Sequence, residues 1–134
     1  MKSTRTSTRP THLFTGKLVA VIEDDPLVRE AIAGLLRAWG FRVVAAESCD
    51  QALTQLVQAG ERPDIIVSDY RLPKGATGVE AIAGLRSAFE IPALLISGDS
   101  SFPTPNPGGY QLLHKPVNAE AFRAALIDAF LAQP

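Results

Sequence analysis

The chain holds a single cysteine, Cys49, so it has no intramolecular disulfide and no cysteine-built zinc site, and its thiol content favours a reducing, cytoplasmic compartment. It has no apolar run near the roughly 18 to 20 residues that span a bilayer, which excludes a transmembrane helix. It also lacks an excess of either charge: 13 Lys+Arg stand against 14 Asp+Glu, a formal net charge of -1, so no overall field draws it to nucleic acid or to an anionic membrane. What is present is a core-forming composition, 46% hydrophobic against 20% charged, in 134 residues, enough for one domain and not for two ordinary ones. Residues 1–16 contain Ser, Thr and basic residues but no apolar stretch of about 7 to 15 residues, so they form no secretory signal. The expectation is a disordered, mildly basic tail over 1–16 and a domain over 17–134.

From Lys17 onward short apolar runs alternate with longer amphipathic stretches, the pattern of a parallel sheet with crossover helices. Leu18 to Ile22, Phe41 to Ala45, Ile65 to Ser68, Ala93 to Ile96 and Tyr110 to Leu113 read as five strands, nearly all buried on both faces. Val28, Ile32, Leu35 and Trp39 recur at helical spacing between the first two, with Pro26 suited to the first turn and Gly40 as a stop. Trp39 reads as a core residue in this company. Ser48 or Asp50 caps a second helix that runs to Gly60, a third begins near Gly78, and a last one opens at Asn118. Between Ser97 and Tyr110 the residues Gly98, Pro103, Pro105, Pro107, Gly108 and Gly109 interrupt any helical rhythm, so one crossover helix is expected to be missing.

Open parallel sheets bind ligands at the carboxyl ends of their strands. Glu23, Asp24 and Asp25 follow the first strand, Asp69 ends the third, Ser97 the fourth and Lys115 the fifth. In a 2-1-3-4-5 strand order these ends are neighbours and the groups share one crevice. Clustered carboxylates repel one another unless a cation sits among them, and an all-oxygen donor set suits Mg²⁺. The charges of Glu23, Asp24 and Asp69 would be balanced by Mg²⁺ and Lys115, and a phosphoryl group added to one carboxylate would find the metal, the ammonium and the Ser97 hydroxyl as partners. Singly, each residue has a plainer use: Asp25 beside Pro26 as a helix cap, Ser97 before Gly98 as a turn residue, Lys115 and His114 as solvated groups. It is their coincidence at neighbouring strand ends that points to a site.

The segments IEDDP (22–26), SDYRLP (68–73), ISG (96–98) and HKP (114–116), in this order and with Asp69 45 residues after Asp24, resemble the response regulator receiver domain of two-component signalling. The wording DYRLP…TGVEAI with LLHKPV is most similar to receivers attached to hybrid sensor histidine kinases. The resemblance implies an α/β fold, the flavodoxin-like (βα)5 three-layer sandwich, here with its fourth crossover helix missing or replaced by a Pro-rich loop. It implies Asp69 as phosphoacceptor, Ser97 and Lys115 as partners of phosphoryl oxygens, and a Mg²⁺ held by Glu23, Asp24, Asp69 and the backbone carbonyl of Arg71. It makes Lys115–Pro116 a candidate cis peptide. The implied partner is a histidine kinase or a histidine phosphotransfer protein, and the implied chemistry is self-phosphorylation and autodephosphorylation without turnover on a foreign substrate.

Two features depart from the family pattern. The segment SGDSSFPTPNPGGY stands where members have a helix of the output surface, and Leu112 stands where many have an aromatic. A binding-only pseudo-receiver with an altered surface is therefore the alternative reading. A phosphohydrolase with an aspartate nucleophile would carry D-x-D after the first strand, where this chain has Glu23-Asp24-Asp25, and an FMN protein would need a phosphate-binding loop where these acids stand. Only Ala132, Gln133 and Pro134 follow Leu131, so the expectation is no direct DNA binding and no membrane contact, with signalling through protein contact.

Overall fold

The structure, a computed structural model, describes residues 14–70, 77–86, 91–98, 111–115 and 118–131. Its elements follow in the order β1 (Leu18–Ile22), α1 (Pro26–Ala38), β2 (Arg42–Ala46), α2 (Cys49–Ala59), β3 (Ile65–Asp69), α3 (Gly78–Arg86), β4 (Ala93–Ser97), β5 (Gln111–His114) and α4 (Ala119–Leu131). The five strands form one parallel sheet, as the alternating pattern implies, in the order β2-β1-β3-β4-β5 expected of the flavodoxin-like fold.

Strand side chains alternate between faces, and the core divides accordingly. Val19, Val21, Ile65, Val67, Leu94 and Ile96 pack with Ile32 and Leu36 of α1 and Phe122 and Leu126 of α4. Leu18, Ala20, Ile22, Ile66 and Leu95 pack on the other side with Leu56 of α2 and Ile82 and Leu85 of α3. Among the described residues two helices lie on each face of the sheet, which makes three layers. β1, β3 and β4 are buried on both faces, but β2 and β5 are not: Arg42, Gln111 and His114 are exposed and their neighbours half-buried. The expectation of burial fails there because an edge strand has a neighbour on one side only.

The helix ends follow local chemistry. Asp25 caps α1, its carboxylate accepting from the Leu27 and Val28 amides at 2.9 and 3.4 Å. Ser48 is the cap of α2, accepting from the Gln51 amide at 3.1 Å, while Asp50 lies inside the first turn, where the helix dipole favours an acid. The left-handed Gly60 (φ 65°) closes α2, a conformation that costs a residue with a Cβ more than glycine. Asn118 caps α4 through the Ala121 amide at 2.9 Å.

The ordered body begins before Lys17. Phe14, placed in the tail by sequence, is fully buried, stacked on Phe41 with centroids 4.6 Å apart and tilted against Trp39 and Phe130. An isolated aromatic in a polar stretch carries no periodic signal, and this one joins the core cluster that α1 and α4 form on one face of the sheet. Trp39 joins the same cluster, edge-on to Phe122 at 5.8 Å, as a core residue. Residues 1–13 and 99–110, which hold most of the expected tail and the expected Pro-rich replacement of a helix, lie outside the described residues.

Candidate functional site

Strand register sets the site. Ile22 pairs with Ser68, Asp69 with Ile96, and Ser97 with His114, so Glu23, Asp69, Ser97 and Lys115 stand at adjacent carboxyl ends. The Glu23 amide still donates to Ala46 O at 2.9 Å and the Lys115 amide to Ser97 O at 2.8 Å, so both residues continue the sheet before the chain turns. Glu23, Ser97 and Asp69 are buried; Asp24 is exposed.

Glu23, Asp24 and Asp69 each offer a carboxylate oxygen, and these lie within 4.8 Å of one another. Lys115 Nζ lies 3.0 Å from Glu23 Oε1 and 3.3 Å from Asp69 Oδ1. The other Glu23 oxygen accepts from the Asp25 amide at 3.1 Å, whereas Oε1 is sealed from solvent and has no well-aligned hydrogen-bond donor besides its ion pair. A hard cation fits this donor set: oxygen ligands only, an excess of negative charge, and a buried oxygen with capacity to spare. Of the sequence-expected residues the structure therefore brings together Glu23, Asp24, Asp69 and Lys115 and sets Ser97 on the neighbouring strand end. Arg71 and Pro116, with the expected metal-ligating carbonyl and the expected cis peptide, lie outside the described residues.

Burial pushes the Asp69 carboxyl above its ordinary range, with the Asp24 charge adding to this, against the pull of the Lys115 ammonium. Burial likewise raises Glu23, opposed by its hydrogen bond from Asp25 and by Lys115. Burial alone would lower Lys115, but the Glu23 and Asp69 carboxylates overcome it and hold the ammonium above its ordinary value. An acid raised in the folded state takes up its proton there first. Metal-free stability is therefore expected to rise as pH falls through the raised values toward the ordinary carboxylate range. The Lys115 contribution is fully present below its ordinary pKa and is lost only in strong alkali. Mg²⁺ competes with the same protons, so the rise in Tm that it produces is expected to shrink as pH falls from neutrality. Thermal melts with and without Mg²⁺ across this range check it; a pH-independent Mg²⁺ increment would contradict the assignment.

Three supports of the site escaped the sequence reading. Thr77 and Glu80 form a capping box at the start of α3, Thr77 N donating to Glu80 Oε1 at 2.9 Å and Glu80 N to Thr77 Oγ1 at 3.2 Å; the T-x-x-E spacing of TGVE was the available signal. Gly78 lies against the backbone of Asp69, and its amide donates to Tyr70 O at 2.6 Å. Arg29 Nη1 donates to the Glu23 carbonyl at 2.8 Å and to that of Asp24 at 3.4 Å. Neither of the last two has a signature in a single sequence, because both act on backbone carbonyls distant in the pattern.

Residues 19–127 match the family described as the response regulator receiver domain. The phyllosphere-induced regulator PhyR of Methylorubrum extorquens is 27% identical over 79 residues, 59% of this chain and 30% of that protein. The C4-dicarboxylate transport transcriptional regulatory protein DctD of Pseudomonas aeruginosa is 32% identical over 108 residues, 77% of this chain and 23% of that protein. The crystal structure of a response regulator receiver protein from Sinorhizobium medicae superposes with a TM-score of 0.74 at 21% identity, over 87% of this chain and 96% of that one. The chain thus spans 30% or less of these two curated relatives and nearly all of the solved receiver.

Proposed function

This chain belongs to the response regulator receiver domain family, and on that premise we propose that Asp69 accepts a phosphoryl group from a phosphohistidine donor, with Mg²⁺ as cofactor. Receiver domains of this family are signalling modules of two-component systems that bind Mg²⁺ at an acidic pocket and interact with histidine kinases or phosphotransfer proteins; they are not general enzymes. The observation that carries the reading is the Lys115 ammonium set between the Glu23 and Asp69 carboxylates, with Asp24 completing the acid set.

In the proposed step an Asp69 carboxylate oxygen forms a bond to phosphorus as the phosphorus–nitrogen bond to the donor imidazole breaks. Glu23, Asp24 and Asp69, with the carbonyl of Arg71, would hold the metal, which when bound supplies positive charge to the transferring oxygens. Lys115 exchanges part of its pairing with Asp69 for a phosphoryl oxygen. The Ser97 hydroxyl, at the next strand end, donates to another. Loss of the group to water returns the carboxylate. Beyond the Asp69 nucleophile, the protein contributes positioning and charge neutralisation, as phosphoryl transfer requires. Among the described residues no helix is long and apolar enough to cross a membrane, and we place this activity in the cytoplasm, read through protein contact without direct DNA binding.

A donor must reach Asp69 over the rim of the site. Beside that rim lies an apolar groove of about 580 Å³ along α1, lined by Leu27, Ala31 and Leu35 and bounded by Gly98 and Lys115. Leu27, 82% exposed in the first turn of α1, adjoins this groove, so the two make one contiguous apolar surface beside the site. We assign it to the docked face of the histidine-bearing partner. Leu27→Asp is expected to slow transfer from a phosphorylated histidine protein by about tenfold or more, as loss of an apolar anchor does, and to leave labelling by the small donor acetyl phosphate unchanged. Equal loss with both donors would instead place Leu27 in the chemistry of the site, and no loss with either would free the groove from this role.

A further inference from the structure

We propose that Arg29 is a positioning residue for the cation site, acting through the backbone of the acidic pair. The inference rests on the receiver reading above and names a part of the site that the acids themselves do not provide. Glu23, Asp24 and Asp25 leave the end of β1 as a run of three like charges. The chain around them is tied down at separate points. The Glu23 amide bonds to β2 through Ala46 O, and one Glu23 carboxylate oxygen takes the Asp25 amide at 3.1 Å. Asp25 caps α1, and its carbonyl takes the Arg29 amide at 2.8 Å. What these bonds leave untied are the Glu23 and Asp24 carbonyls, on the two peptides that flank Asp24.

Arg29 ties both. One half-buried guanidinium nitrogen, a single turn into α1, spans the consecutive carbonyls of Glu23 and Asp24 at 2.8 and 3.4 Å. A single cationic nitrogen that donates to both carbonyls holds them in one orientation, as a lysine ammonium at the same place could, and its charge offsets part of the mutual repulsion of the acids while no cation is bound. The three carboxylate oxygens can then stay within 4.8 Å of one another before the metal arrives. The guanidinium's bonds are to the carbonyls and not to these oxygens, so its effect on the metal is indirect.

Charge and positioning predict opposite signs. If Arg29 were merely a cation near a cation site, removing it would tighten Mg²⁺ binding. If it orients the acids, removing it weakens binding, by about tenfold on the scale of other supporting contacts around metal ligands. The experiment is calorimetric titration of Mg²⁺ into the full chain as wild type, Arg29→Ala and Arg29→Lys, with acetyl phosphate labelling followed against Mg²⁺ concentration. Expected are weaker Mg²⁺ binding in Arg29→Ala, most of the affinity recovered in Arg29→Lys, and labelling of Arg29→Ala that reaches the wild-type extent at saturating Mg²⁺. Arg29→Gln gives the same contrast of signs should the alanine variant fail to fold. Unchanged or tighter binding on removing the guanidinium overturns the proposal, as does a labelling defect that saturating Mg²⁺ does not repair. A wild type that binds no Mg²⁺ would instead remove the receiver reading on which it stands.

Discussion

Asp69→Asn is expected to take no phosphoryl label and, without Mg²⁺, to melt above the wild type. The loss of label follows from the nucleophile: the carboxylate oxygen that would attack phosphorus becomes half of a neutral amide. The gain in stability follows from burial. Asp69 is 7% exposed, and its burial, with the Asp24 charge beside it, makes the ionised form costly in the folded state, more than Lys115 returns. A neutral side chain of the same shape removes that cost. The expected sign is a higher Tm in chelator, because the folded state favours the neutral form at this position. Thermal melts in chelator and intact-mass measurement after acetyl phosphate treatment check the two halves. A variant that melts lower would mean that attraction to Lys115 outweighs burial, and a variant that still labels would take the phosphoacceptor role from Asp69.

Gly78→Ala is expected to cost about 3 kcal/mol of stability, the upper part of the range for overpacking a close contact. A Cβ at this position would collide with the Asp69 carbonyl oxygen and lie 2.8 Å from Leu95 Cδ2 and 3.0 Å from the Asp69 carbonyl carbon. Two of these three atoms are backbone of β3, held by the sheet, so relief requires α3 to move off the strand that carries Asp69. The hydrogen bond from the Gly78 amide to Tyr70 O would be lost with it. Gly34 provides the control: it lies inside α1 with nothing within 4 Å of an added Cβ. Gly34→Ala should therefore stabilise by about 0.5 to 1 kcal/mol, the ordinary helix preference. Urea unfolding of both variants measures the contrast, and similar midpoints for the two would show that α3 is not seated against β3 as described.

The site was more legible in the sequence than its supports. Asp69, Ser97 and Lys115 each follow an apolar run that only a strand explains, and a parallel sheet sends all such ends to one edge, so pattern and topology together located them. The alternation gave a parallel sheet but not the order of its strands, which came with the family resemblance and which the structure bears out. What the pattern failed to give depends on contacts with no period. Phe14 stands alone in a polar stretch, yet it stacks on Phe41 and joins the core cluster that α1 and α4 form. The half-exposure of β2 and β5 comes from their place at the sheet edges, a property of the assembled sheet and not of their residues. Gly78 and Arg29 meet backbone atoms of residues nine and six positions away or fewer, where composition leaves no mark.

The central claim is that the Glu23, Asp24, Asp69 and Lys115 cluster is a working, cation-dependent phosphoacceptor. Intact mass of the wild-type chain after incubation with acetyl phosphate, with Mg²⁺ and with chelator, tests it most directly. The account predicts a single phosphoryl adduct that forms with Mg²⁺, fails to form in chelator and maps to the peptide holding Asp69. Adduct formation that is indifferent to Mg²⁺, or that maps to another residue, would contradict it.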